Sequence, residues 1–167
     1  MMGKPPTVET PLNHWRQLQI PHDFASIHEA LVFCKAQVLQ LGQQGFIQIK
    51  IADGDYYLDQ IEIDFFSDRV EMIGNVNYPD RVQLLFHPLY YSFRFFLLRG
   101  NGIFKIDGVT INGMLGFQGY GQWADESYGA GVMCLHNSQV LLGSQVRINR
   151  FYYGVAARYG GSVRCEP

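Results

Sequence analysis

The chain predicts an all-β body of solenoid type, preceded by one amphipathic helix. Three observations carry this. A single stretch, residues 26–42, has apolar residues at helical spacing. From residue 46 onward the sequence alternates apolar and polar in runs of four to seven residues, cut by Gly, Asn or Asp. The pairs Gly108-Val109, Gly131-Val132 and Gly154-Val155 recur 23 residues apart, and Val140 and Val163 share that spacing. A fixed period in this range is the mark of stacked coils of short parallel strands.

In chain order, residues 1–21 read as an extended arm, because Pro5, Pro6, Pro11 and Pro21 interrupt a stretch of little periodicity. Residues 22–44 hold the helix. Ile27, Ala30, Leu31, Cys34, Val38 and Leu41 share one face, Ser26 and Glu29 have capping-box spacing, and Gly42 suits the C-terminal cap. Residues 45–167 hold the strands, beginning with "FIQIKIA" and "YLDQIEID" and ending in mid-pattern at "SVRCEP". A solenoid has open ends that need cover. The helix would cover the first coil, and the last would need further chain, a partner or another copy.

The 167 residues suit one core, with 47% apolar and 17% charged side chains. A net charge of -2 gives no reason to expect nucleic acid as partner. Cys34, Cys134 and Cys165 match no zinc or redox spacing, which suits a reducing compartment. The N-terminus lacks a hydrophobic run, and "LLFHPLYYSFRFFLL" is too short and too interrupted for membrane insertion. His14, His22, His28, His87 and His136 show no metal-ligand pairing, and no nucleotide fingerprint or nucleophile elbow is present. No cofactor and no metal are expected.

The acidic stretch "IADGDYYLDQIEID" invites a cation-site reading. It fails, because an EF-hand loop begun at Asp53 would have Tyr57 at position 5, Leu58 at position 6 and Asp64 at position 12. The expected reading is an Asp-Gly turn in which Asp53 bonds its own backbone, followed by a strand with Asp59, Glu62 and Asp64 facing solvent. The glycine-rich segment 116–131 is the most site-like. It gathers Phe117, Tyr120, Trp123 and Tyr128 with Asp125 and Glu126. In the 23-residue register Trp123 and Asp125 fall one coil before Val146 and Ile148, a place where a buried strand would not hold aspartate, so a bulge is expected. Aromatic rings there can stack on sugars, and carboxylates can accept from hydroxyls. Asp125 and Glu126 are weak candidates for an acid–base pair, because neighbours on a strand point to opposite sides. Arg147, Arg150 and Arg158 are either the outer face of the solenoid or contacts for acidic sugars or phosphate. The run Phe86, Tyr90, Tyr91, Phe93, Phe95 and Phe96 is expected to be core stacking plus subunit interface.

Several of these residues form a pattern found elsewhere. Phe24, Ser26, Ile27, Ala30 and Leu31 fit F-x-[ST]-I-x-x-A-L. Ala52, Asp53, Gly54, Tyr56 and Leu58 fit A-D-G-x-Y-x-L, and Ile73, Gly74 and Asn75 match the strand pattern I-x-I-x-G-N in part. The stretch from residue 24 to about 75 resembles the opening of right-handed parallel β-helix domains of the pectin-lyase-like kind, as in bacteriophage tail spikes and tail fibres. "FYYGVAARYGGSV" is similar to one of their coils. The resemblance implies a homotrimeric virion protein, assembled in the bacterial cytoplasm. It would contact other tail or baseplate proteins and recognise bacterial surface polysaccharide, with Tyr120, Trp123, Tyr128, Arg147 and Arg150 as saccharide-binding candidates. The alternative on the same scaffold is a polysaccharide depolymerase, whether hydrolase, lyase or esterase. About 120 residues at this period make only about five coils, short for a complete sugar cleft.

Overall fold

Parallel pairing organises the strands of the described residues. The computed structural model describes residues 15–41, 46–87, 94–113, 129–151 and 153–167. Strand β1 (Trp15–Ile20) is followed by helix α1 (Ile27–Leu41). Strands β2 (Phe46–Ile51), β3 (Gly54–Leu58) and β4 (Ile61–Ile63) make one round. The next holds β5 (Val70–Ile73), a 3-10 turn at Pro79–Arg81, β6 (Val82–Phe86) and β7 (Arg94–Leu98). Two more rounds follow: β8 (Gly102–Asp107), β9 (Thr110–Asn112) and β10 (Ala130–Cys134), then β11 (Ser138–Leu142), β12 (Arg147–Asn149) and β13 (Tyr153–Ala157). Strand β14 (Ser162–Cys165) is last. Among the described residues this is an all-β arrangement with a single α-helix.

The strands fall into three parallel sheets, visited in rotation. The first has the order β1-β2-β5-β8-β11-β14, the second β12-β9-β6-β3 and the third β13-β10-β7-β4. A parallel pair cannot be closed by a tight hairpin and needs a long connection. Here strands of the other two sheets provide it. Each sheet contributes a column of apolar side chains to one core. Leu18, Ile49, Met72, Ile106 and Leu142 are register partners on successive strands of the first sheet, all at most 5% exposed. Ile61, Phe96 and Val132 form the matching column of the third sheet, each 0% exposed. Phe95 lies between Phe86 and Phe151, with ring centroids 4.9 and 6.3 Å away. Along each column burial fades at the last strand. Val155, the partner of Val132, is 41% exposed, and Ile148, the partner of Ile111, is half-buried.

Two boundaries differ from the sequence expectation. Residues 15–20, expected in the arm that ends at residue 21, form β1 in the first sheet, because Leu18 and Ile20 face the core opposite Ile49 and Ile51. The uniform 23-residue period holds for Val132 with Val155 and for Val140 with Val163, but not for Gly108. Val132 pairs on its other side with Phe96, 36 residues earlier, and Gly108 is a corner residue between β8 and β9 with φ of 65°. Ile148 likewise pairs with Ile111, 37 residues earlier, so the frame that set Trp123 and Asp125 under Val146 and Ile148 is not the pairing register. The paired strands must stay in line, whereas corners on the surface accept insertions.

Helix α1 starts as expected, with one shift. Ser26 Oγ accepts from Glu29 N at 3.2 Å, but the Glu29 carboxylate takes the N–H of Ala25 rather than that of Ser26. Ile27, Ala30, Leu31 and Cys34 join the core formed by the sheets. Phe33 packs on Phe24, centroids 5.4 Å apart, with the Arg16 guanidinium 5.4 Å from its ring. Gln37 is 0% exposed, and neither its Oε1 nor its Nε2 has a hydrogen-bond partner. A buried amide in that state destabilises the fold. The expected Gly42 cap lies outside the described residues.

Two stability measurements follow from this packing. Urea unfolding of Phe95→Ala is expected to show a loss of about 3–5 kcal/mol, while Val155→Ala, on the half-open last rung, loses under about 1 kcal/mol. Gln37→Leu is expected to raise the urea midpoint, by about 1 kcal/mol in stability, because it removes two unpaired polar atoms without opening a cavity; a lower midpoint would show that the amide is needed.

Candidate binding surface

Alternation along β3, β6, β9 and β12 sends every second side chain to the outer face of the second sheet. The pairing sets these in two rows: Asp55, Gln83, Thr110 and Arg147, and beside them Tyr57, Leu85, Asn112 and Asn149. Tyr57 is 71% exposed, and Asp55, Arg147 and Asn149 are exposed. The amides form a chain across three strands. Asn149 Nδ2 donates to Asn112 Oδ1 at 3.2 Å, Asn112 Nδ2 donates to Gln83 Oε1, and Gln83 Nε2 donates to the carbonyl of Asp80 at 2.6 Å.

The corner leading into β6 adds charge to one edge of this face. Asn75 Oδ1 accepts from the backbone N–H of Asn77 and Tyr78, which folds the turn, and Asn75 Nδ2 donates to Asp53 Oδ1 at 2.9 Å. Arg81 lies 3.8 Å from Asp53 and 4.6 Å above the ring of Tyr78, itself 55% exposed. Arg147 reaches past Thr110, on the strand between, to Asp80 at 3.5 Å. Thr110 is thereby only 4% exposed, and its hydroxyl donates to the Pro79 carbonyl at 3.0 Å.

The predicted site residues divide sharply. Arg147 and Arg150 belong to this surface: Arg150 is exposed, in the turn after β12, with φ of 63°. Gly113 N donates to Asn149 O at 2.9 Å, and a Cβ on Gly113 would meet Arg150 O at 2.2 Å, so only glycine permits this approach. Tyr120, Trp123, Asp125, Glu126 and Tyr128 lie outside the described residues, as do Phe117, Tyr90, Tyr91 and Phe93. Tyr57, Tyr78, Asn112 and Asn149 were not anticipated. The alternation of "DYYL" pointed to Tyr57, but the amide chain joins residues far apart in sequence.

The acidic stretch is dispersed. Asp53 binds Asn75 and Arg81 instead of its own backbone, Asp64 pairs with Lys35 at 2.6 Å, and half-buried Glu62 pairs with Arg99. Among the described residues no group of three or more His, Cys, Asp or Glu side chains could hold a metal ion. No helix among them is long and apolar enough to cross a membrane. A groove of about 530 Å³ runs between α1 and the corner after β4, lined by Lys35, Leu39, Asp64, Phe66 and Arg99 among others. Its Lys35 and Arg99 are the cations just paired. Ser138 is buried, donating to the Leu98 carbonyl at 2.8 Å and accepting from Leu135 N.

No protein-family model matches the chain, and neither do curated proteins or solved structures.

The cysteines, in α1, β10 and β14, provide a test of the packing of the core. Burial pushes the Cys34 thiol up to about 12 and that of Cys134 up to about 11, whereas Cys165 is exposed. Thiolate is the reactive form. A disulfide reagent at pH 8 is expected to titrate one thiol per native chain and three in denaturant. Because the folded thiols hold their protons more tightly than the unfolded chain, native stability is full below pH 9 and falls as pH rises toward 11–12.

Proposed function

We propose that the three sheets are the flanks of a right-handed parallel β-helix, and that the chain is a structural and receptor-binding module of a bacteriophage tail spike or tail fibre. The observation that carries the first part is the rotation of strands through three parallel sheets, with core columns continuous from coil to coil. In this reading α1 takes the place of two strands in the opening coil, since it lies between β1 and β2, which pair directly. Three such shafts side by side would make the homotrimer of a virion tail, joined to other tail or baseplate proteins.

The second part is supported by the outer face of the second sheet. Exposed tyrosines, amides and ion-paired arginines are the groups that hold sugars: rings cover the apolar face of a pyranose, and amides both donate to and accept from hydroxyls. We place recognition of bacterial surface polysaccharide there, with Arg147 and Arg150 at its rim. The saccharide candidates Tyr120, Trp123 and Tyr128 lie outside the described residues and join this reading on the strength of the sequence.

Sedimentation equilibrium is expected to find a species of three chains at micromolar concentration, and the trimer is to be retained on immobilised polysaccharide from a susceptible bacterium. A chain that stays monomeric at every concentration overturns the tail-spike reading. New reducing ends or unsaturated uronates in the eluate would move the assignment to a depolymerase.

A further inference from the structure

We infer that the outer face of the second sheet takes an uncharged polysaccharide laid along the stacking axis of the sheets, across β3, β6, β9 and β12, rather than an acidic one. This rests on the polysaccharide reading above and specifies its ligand.

The charges of the face decide the class. Both guanidinium groups over the sheet are already answered by carboxylates: Arg81 by Asp53 at 3.8 Å and Arg147 by Asp80 at 3.5 Å. Of the remaining ionised groups among the described residues of the face, Asp55 is exposed at one edge and Arg150 at the other, so three acids stand against three arginines there. An anionic glycan that engaged Arg81 or Arg147 would have to displace Asp53 or Asp80 and would then lie beside the carboxylate it had freed, which leaves it Arg150 alone among the described arginines of the face. Like charges at that distance repel, and the exchange returns nothing. A glycan bearing only hydroxyls meets no such obstacle.

The amides decide the direction. A side-chain amide has two N–H groups and an oxygen with two acceptor positions. Asn149, Asn112 and Gln83 each spend one N–H along the chain, all in the same sense, and Asn112 and Gln83 each also accept one; the second N–H and the second acceptor position of each are left for a ligand. These side chains sit on successive strands about 4.8 Å apart. That interval is close to the spacing of successive sugar units in an extended glycan, so one unit can meet each strand. Asn149 and Asn112 share a row with Leu85 and Tyr57, and Gln83 stands beside Leu85 in the neighbouring row; Tyr57 closes the row at β3 with a phenol ring 71% exposed, available to stack on a pyranose face. A glycan lying across the axis would meet one strand and leave the other amides unused.

The test uses the full chain and a panel of purified O-antigen and capsular polysaccharides of known composition, one set free of carboxylate and phosphate and one set rich in uronate, sialate or phosphate. Calorimetry is expected to find binding in the uncharged set, with Kd changing by less than about twofold between 0.05 and 0.5 M NaCl. Tyr57→Ala and Asn149→Ala are expected to weaken binding about tenfold each. Gln19→Ala, on the outer face of the first sheet, is expected to leave it unchanged. Both lost side chains are exposed, so thermal unfolding should match the parent and separates a lost contact from a lost fold. Preference for the acidic set, or affinity that collapses with salt, overturns this inference and leaves polysaccharide recognition standing. Failure of either variant to weaken binding also overturns it. Binding to neither set overturns the polysaccharide reading and this inference with it.

Discussion

The register of parallel strands between successive rounds is the constraint on which the rest depends. Each inward side chain must stand over its counterpart one round earlier, because the core between the three sheets is filled only by aligned columns. Ile49 over Leu18, Met72 over Ile49 and Ile106 over Met72 are one such column. A slip of one residue in any strand would turn its apolar set outward and its polar set into the core. The backbone gains nothing from such a slip, so hydrogen bonding and burial select the same register.

Everything outside the paired strands is released from that constraint, and the corners show it. Asp107 holds one of them, accepting from Gly108 N at 2.8 Å and from Gln145 N at 3.1 Å, and Gly143 packs so close that a Cβ would strike the Asp107 carboxylate. Gly100 approaches the backbone of Phe65 in the same manner. Such contacts lock one turn onto its neighbour from the round before, so the turn residues are fixed by stacking even though turn length is not. This is why function can sit on the outer faces and at the corners without disturbing the columns beneath.

The same division explains what the sequence could tell. The helix was legible because a 3.6-residue period and a capping pair are local, and so was the strand character of residues 46 onward, where alternation is local too. Strand β1 was not, since Leu18 and Ile20 are its only inward apolar residues in register and Arg16, Gln17 and Gln19 mask the pattern. The apparent repeat misled because glycine recurs for different reasons: Gly108 turns a corner at positive φ, while Gly131 lies in β10, where a Cβ would meet the Ile148 side chain at 2.7 Å. At the surface, Arg147 could be recognised as outward-facing, but its partner Asp80 is 67 residues away, brought close only through the β6–β9–β12 register. The acidic stretch, read as one strip, is shared among Arg81, Lys35 and Arg99, from three other elements.

One fold thus carries three outer faces with three chemistries. On the first sheet, Gln17, Gln48 and Glu71 are hydrogen-bonded to one another in a row, and Glu71 is only 7% exposed, so the row is largely spent on itself. On the third sheet, Leu97, Ala130 and Met133 form a second apolar cluster, at most 6% exposed, with Leu135, Tyr153 and Ala156 against it. A buried apolar face offers no hydrogen bonds to a hydroxyl-rich ligand, and a self-satisfied polar row offers few. The second sheet differs from both. Its amide chain is partly spent, Arg81 and Arg147 are paired with carboxylates, and the Tyr57 ring stands clear of the surface. On the proposed reading, a face with spare neutral donors and acceptors, and with Arg81 and Arg147 already ion-paired, selects by what it fails to attract as much as by what it binds, since those arginines do not repay the desolvation of an anion.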